Sequence, residues 1–240
     1  MATELDAGTR NRPVTVAIAG PDGSGASALA DRVAAECRSR GRPVVRITAE
    51  DFLQPRHIRY RRGNDSPVGF LEDTFDDAAF RQLVLEPLTG GDRRVVERIR
   101  DPRTDAAVDS PAVFVDADAL VLVDGTFLLR RSLRDYWGLR VLLAVDDDRV
   151  ARAADREQMV EEGADGVVAD HRRRRARGFA LHLEQDNPEA VADIVIDTTD
   201  ALRPVPLRWP RPPGAGVRTG PGHERHLHKT SGQGLRQPLP

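Results

Sequence analysis

Three glycines, a serine and a few carboxylates mark where this sequence could do chemistry. Gly20, Gly23 and Gly25 lie in the stretch GPDGSGAS, between an apolar run from Val14 to Ala19 and an Ala/Leu/Val-rich segment that opens at Ser27. Glycines so placed allow a sharp turn and close backbone approach, and a helix starting at the end of the turn offers free N–H groups to an anion. Gly20, Gly25 and Ser27 keep the register of the phosphate-cradling pattern G-x-x-x-x-G-K-[ST], with Asp22 and Ser24 inside the loop. The lysine position holds Ala26. An ordinary strand-turn-helix corner, with glycines for geometry, is the plainer alternative. Of 36 basic residues only Lys229 is a lysine. A bound phosphate must therefore draw its positive charge from arginine, metal or backbone dipoles.

The carboxylates fall at strand ends. Glu50 and Asp51 come just after the apolar run Val44 to Ile47, where an α/β fold places its working residues, although a solvated turn or cap would look the same. Asp124-Gly125 closes the apolar run Ala119 to Val123, a pattern that can hold magnesium directly or through water, here in company with Ser27. Two arginine runs stand apart. Arg56, Arg59, Arg61 and Arg62 sit in a stretch from Gln54 to Asp77 without periodicity, read as a long functional loop. From His171 to Arg177 come five arginines in seven residues; a helix bearing them could close over polyphosphate, while at least half would simply face solvent.

Positioning these groups requires an alternation of strands and helices. Strands are expected at Val14 to Ala19, Val44 to Ile47, Ala119 to Val123, Leu139 to Val145 and Ala192 to Ile196. A hairpin-like excursion at Val95 to Ile99 and Ala112 to Val115 brackets Asp101 to Asp105. Helices are expected from Ser27 to about Arg40, over Phe80 to Leu88, over Leu128 to Leu133, and from Arg149 to Arg156 with a break at Glu161 to Gly166. At 240 residues this is one α/β domain over 13–202, preceded by a flexible leader, 1–12, and succeeded by a Pro/Gly/Arg/His-rich segment, 203–240, expected to be disordered. The histidines around His226 could bind metal fortuitously and are not read as a designed site.

Bulk composition narrows the partners. A net charge of −2 and 40% apolar residues suit a soluble protein that binds neither nucleic acid nor membrane. Cys37 is the single cysteine, so no internal disulfide can form and a reducing compartment is expected. No signal-like segment and no run of about eighteen apolar residues occurs, which predicts a cytoplasmic protein.

In order, GPDGSGAS, EDF, FDD, DPRTD, VDG, an arginine-rich lid and ADIVID resemble the uridine kinase family of P-loop kinases, akin to phosphoribulokinase and pantothenate kinase, over roughly Pro13 to Asp200. The resemblance implies an α/β P-loop NTPase with a parallel five-stranded sheet flanked by helices and an Arg-rich lid. It implies ATP and Mg2+, and transfer of a phosphoryl group to a nucleoside-like small molecule, with oligomerisation open. By that resemblance Glu50, with Asp51 beside it, is the carboxylate that accepts the hydroxyl proton. Asp76 grips ribose hydroxyls, Arg103 lies in the base-recognition hairpin, Ser27 and Asp124 serve the metal, and Arg173, Arg174 and Arg177 reach ATP. The departures are Ala26 for lysine, Ala28 for a second hydroxyl, and a hairpin without the family's aromatic and histidine. Two readings result: a kinase in which a lid arginine replaces the lysine, or a nucleotide-binding pseudokinase acting through a partner.

Overall fold

The computed structural model describes residues 12–145 and 166–210, with the side chains of 166–172 left aside. The expected helix at Arg149 to Arg156, the leader up to residue 11, and the histidines around His226 lie outside the described residues. β1 (Val14–Ala19), α1 (Ala26–Ser39), β2 (Val44–Thr48), β5 (Leu120–Gly125), β6 (Leu139–Ala144) and β7 (Ile194–Asp197) fall close to their predicted places. These strands are parallel and lie in the order β2-β5-β1-β6-β7.

Buried on both faces, these strands read as continuous apolar runs, and the pleat sorts alternate residues to opposite sides. Val16, Ile18, Leu120, Leu122, Val141 and Leu143 pack against Ala30, Val33, Ala34 and Cys37 of α1. Ala17, Ala19, Val121, Val123 and Leu142 pack the other way, onto Phe80, Val84, Leu85 and Leu128. The carboxyl ends of β1, β2 and β5 are thereby fixed side by side, with Ile18 and Thr48 both in register with Asp124.

Several segments differ from expectation. The sheet has a sixth, antiparallel strand beside β7, β8 (Val205–Arg208), inside the segment read as disordered. Its side chains are all exposed, so no apolar pattern announced it, and Pro206 is tolerated because it sits on the sheet edge. Arg208 Nη1 anchors the strand by donating to the carbonyls of Glu189 and Ala192 at 2.6 and 2.9 Å.

The stretch 54–77 is not one long loop but carries α2 (Arg56–Arg59) and α3 (Pro67–Asp73). Ser66 caps α3, accepting from Gly69 N at 3.1 Å with Pro67 at the first position, a start signal hidden by the polar surroundings. The expected helix over 80–88 runs longer, as α4 (Asp77–Phe80), a π-helical turn (Arg81–Leu85) and α5 (Glu86–Gly90). The excursion keeps only β3 (Arg94–Val95) and β4 (Val113–Phe114), paired antiparallel. Residues 128–133 form turns rather than a helix, with a 3-10 turn next at Arg134–Tyr136.

A long helix, α6 (Gly166–Asp186), begins at the last residue of the break expected after the 149–156 helix, and α7 (Pro188–Val191) leads into β7. α6 packs against α3 at Gly178, where a Cβ would come within 2.9 Å of the Pro67 carbonyl oxygen. Phe70, Leu71, Phe127 and Phe179 fill the contact.

Candidate active site

The turn after β1 uses its glycines for two different reasons. Gly23 and Gly25 sit at φ +77° and +88°, the left-handed region that L side chains avoid, and Gly25 is the residue from which α1 springs. Gly20 is needed for space, because a Cβ there would collide with Ser24 Oγ. The loop folds on itself through Ser24 N donating to Pro21 O at 3.0 Å, and Ser24 Oγ is buried without a hydrogen-bond partner. An orphaned hydroxyl, two left-handed turns and the unpaired first N–H groups of a 14-residue helix all suit a phosphate ligand.

The loop from Gly20 to Ala28 lines a cavity of about 360 Å³ together with Thr48, Glu50, Asp124 and Arg175. Gly125 brings Glu50 here by letting the 3-10 turn Ala49–Phe52 close onto β5; a Cβ on Gly125 would lie 2.5 Å from that of Ala49. Burial, and after it the charge of Asp22, hold the Glu50 carboxyl above the usual carboxylate range. Asp124 is 2% exposed. Its Oδ2 accepts from Ser27 Oγ, and its Oδ1 accepts from Arg46 Nη1 at 2.5 Å. Ser27 and Asp124 supply two hard oxygens, a fit for magnesium provided phosphate and water complete its shell. Among the described residues no cluster of three or more His, Cys, Asp or Glu could hold a metal by itself.

The remaining residues singled out in the sequence lie elsewhere. Asp51 is not among the residues lining the cavity; its carboxylate accepts from Arg98 Nε at 2.6 Å, and its carbonyl accepts from the N–H groups of Ile99 and Arg100. Asp76 caps α4 by accepting from Ala79 N at 2.9 Å. Arg103 is exposed, its backbone N donating to Asp101 Oδ1 at 2.8 Å. Of the lid arginines, Arg174 is buried between the rings of Tyr60 and Phe70 and donates to the carbonyls of Arg59 and Ser66, so it holds the helix rather than facing the loop. Arg173 is half-buried and Arg177 exposed. Among the described residues the arginine that lines the cavity is Arg175, ion-paired to Asp22. The other arginine run is likewise structural in this chain: Arg59 pairs with Asp105, and Arg61 and Arg62 with the buried Asp73.

Arg46, Arg98 and Arg175 were missed by sequence reasoning. Arg46 had a readable signal, a lone charge inside the apolar strand VVRIT. Arg175 had none that separated it from its four neighbours.

No protein-family model matches the chain, and no curated protein sequence matches it. Solved structures do. A possible uridine kinase from Bacillus stearothermophilus superposes with a TM-score of 0.65 at 19% identity, covering 81% of this chain and 94% of that one. A candidate fructose transport system kinase from Silicibacter sp. TM1040 gives 0.56 at 25% identity, covering 75% and 90%. D-glycerate 3-kinase from Cryptococcus neoformans gives 0.53 at 14% identity, covering 78% and 86%. Parallel sheet, glycine loop and flanking helices together give this chain the fold of the P-loop kinases related to uridine kinase.

Proposed function

We propose that the chain is an ATP-dependent small-molecule kinase that phosphorylates a hydroxyl of a nucleoside-like acceptor. The observation that carries this reading is that Glu50 lines the same cavity as the glycine loop, Ser27 and Asp124. The glycine loop and the α1 N-terminus bind the polyphosphate through backbone N–H groups. Glu50 accepts the proton of the acceptor hydroxyl as its oxygen bonds to the γ-phosphorus, and the bond from that phosphorus to the β,γ-bridging oxygen breaks to release ADP. A carboxyl held above its ordinary range suits a base working near neutral pH. Ser27 and Asp124 would hold magnesium, whose chemistry there is to neutralise charge on the transferring phosphoryl group. Among the described residues Arg175 is the one cavity-lining arginine, and it takes the role that Ala26 leaves open.

Ala26 itself favours a second reading, a pseudokinase that binds nucleotide and acts through a partner. ADP release by pure protein with ATP, magnesium and a panel of nucleosides, pantothenate and sugar phosphates separates the two. Acceptor-dependent ADP release supports the kinase. Nucleotide binding without it across the panel supports the pseudokinase.

A further inference from the structure

Arg46 is a charged residue in the middle of β2, between Val45 and Ile47. Its side chain is only 18% exposed, and that of its partner Asp124 only 3%. Nη1 donates to Asp124 Oδ1 at 2.5 Å and to the Ile47 carbonyl at 2.7 Å, while Nε donates to Asp31 Oδ1 at 3.1 Å. Nη2 reaches the Ser27 carbonyl at 3.5 Å. The other oxygen of Asp124 takes the Ser27 hydroxyl. Both oxygens of the carboxylate at the metal position are therefore engaged, one of them by a guanidinium.

Three carboxylates line a cavity meant for an anion: Asp22, Glu50 and Asp124. Unanswered, each would repel polyphosphate. Arg175 answers Asp22 and Arg46 answers Asp124, so two of the three carboxylates carry their own counter-charge. Arg46 is not among the residues lining the cavity, so it acts through Asp124 as a positioning residue.

We propose that Arg46 is a built-in counter-charge to Asp124, which lets the loop bind the phosphates of a nucleoside diphosphate with little dependence on a divalent cation. This rests on the reading of the loop as a nucleotide site. The same pairing makes a free cation compete with Arg46 for Asp124.

Calorimetric titration of the full chain with ADP, in excess magnesium and in EDTA, tests it. Wild type is expected to bind within about threefold in the two conditions, and Arg46→Gln to lose at least about tenfold in EDTA with magnesium restoring most of it. Arg46→Lys, which keeps the charge, should stay near wild type in EDTA. Manganese alone, monitored by its free-ion paramagnetic resonance signal, should bind Arg46→Gln more tightly than wild type. A wild type that loses more than about tenfold in EDTA, or an Arg46→Gln protein that keeps its metal-free affinity, overturns the proposal. If folded protein binds no ADP in either condition, the nucleotide reading fails. The manganese comparison then decides the counter-charge by itself, and equal occupancy in wild type and Arg46→Gln overturns it.

Discussion

Arg175 and Asp22, 153 positions apart in sequence, form an ion pair that ties α6 to the glycine loop. Both groups are partly open to water, at 54% and 40% side-chain exposure, so the pair is screened and can exchange partners with an incoming phosphate. Arg175→Ala should weaken ADP binding by about tenfold, and Asp22→Asn, which frees the arginine and removes a like charge, should tighten it by about threefold. Titration calorimetry at low and at physiological salt reads both. Equal affinities for wild type and Arg175→Ala would remove Arg175 from the phosphate site.

Gly25 gives the sharpest test of the loop as a backbone cradle. At φ +88° a side chain there costs about 1–2 kcal/mol, and more when it is β-branched. Gly25→Val should therefore lower the melting temperature and, separately, abolish the rise that ATP or ADP produces in wild type. A nucleotide-dependent rise that survives in Gly25→Val would place the ligand elsewhere.

The frame of the site was legible because parallel strands and the glycine turn obey local rules. Val14–Ala19, Val44–Thr48 and Leu120–Gly125 announce themselves as apolar runs closed by polar residues, and the parallel sheet brings their carboxyl ends to one edge. Side-chain partnership was not legible. Which of Arg173, Arg174, Arg175 and Arg177 meets the loop depends on the phase of α6 against α3, set by contacts such as Gly178 on Pro67 that no local pattern encodes. β8 was hidden for a different reason. An exposed edge strand held by main-chain pairing and Arg208 needs no apolar alternation.

Arg174 makes the lid helix part of the folded body. It is 3% exposed, stacks on Tyr60 at 4.5 Å from the ring centroid, and donates to the Arg59 carbonyl at 2.6 Å. Arg174→Ala removes the stacking on Tyr60 and Phe70 and the donor to the Arg59 carbonyl, and should cost about 3 kcal/mol in urea unfolding. Arg174→Lys should recover little, since an ammonium cannot stack and fork at once. A loss below about 1 kcal/mol for the alanine would show that α6 docks without it.

His182 couples the same helix to pH. It is fully buried, edge-on to Phe127, with Nδ1 at 2.7 Å from Asp186 Oδ2 and Nε2 without a partner. A carboxylate only accepts, so Nδ1 carries the proton and Nε2 is bare. Burial pushes the imidazole below its usual range, against the opposite pull of Asp186. The unfolded chain takes up a proton near about pH 6.5 and the native state resists until lower pH, so stability present above that value is lost as pH falls through the window between the two. Urea midpoints should fall from pH 7.5 to 5.5 in wild type and fall less in His182→Gln, relative to its own value at pH 7.5. An equal fall in both would clear His182 of the effect.

Ala26 decides between enzyme and pseudokinase. It sits at the first turn of α1 and lines the cavity beside Ser27, where a lysine side chain would bring its ammonium to the β- and γ-phosphates. If the rest of the site is a working kinase, Ala26→Lys should raise turnover at least about tenfold, or roughly 1.4 kcal/mol of transition-state stabilisation. If Arg175 has already taken the role, wild type turns over measurably and Arg175→Ala costs more than Ala26→Lys gains. Steady-state ADP release over the acceptor panel distinguishes these. Suppose wild type, Ala26→Lys, and Ala26→Lys with Glu50→Asp all bind ATP but release no ADP with any acceptor. Catalysis is then lost at more than one position, and the kinase assignment gives way to nucleotide binding alone.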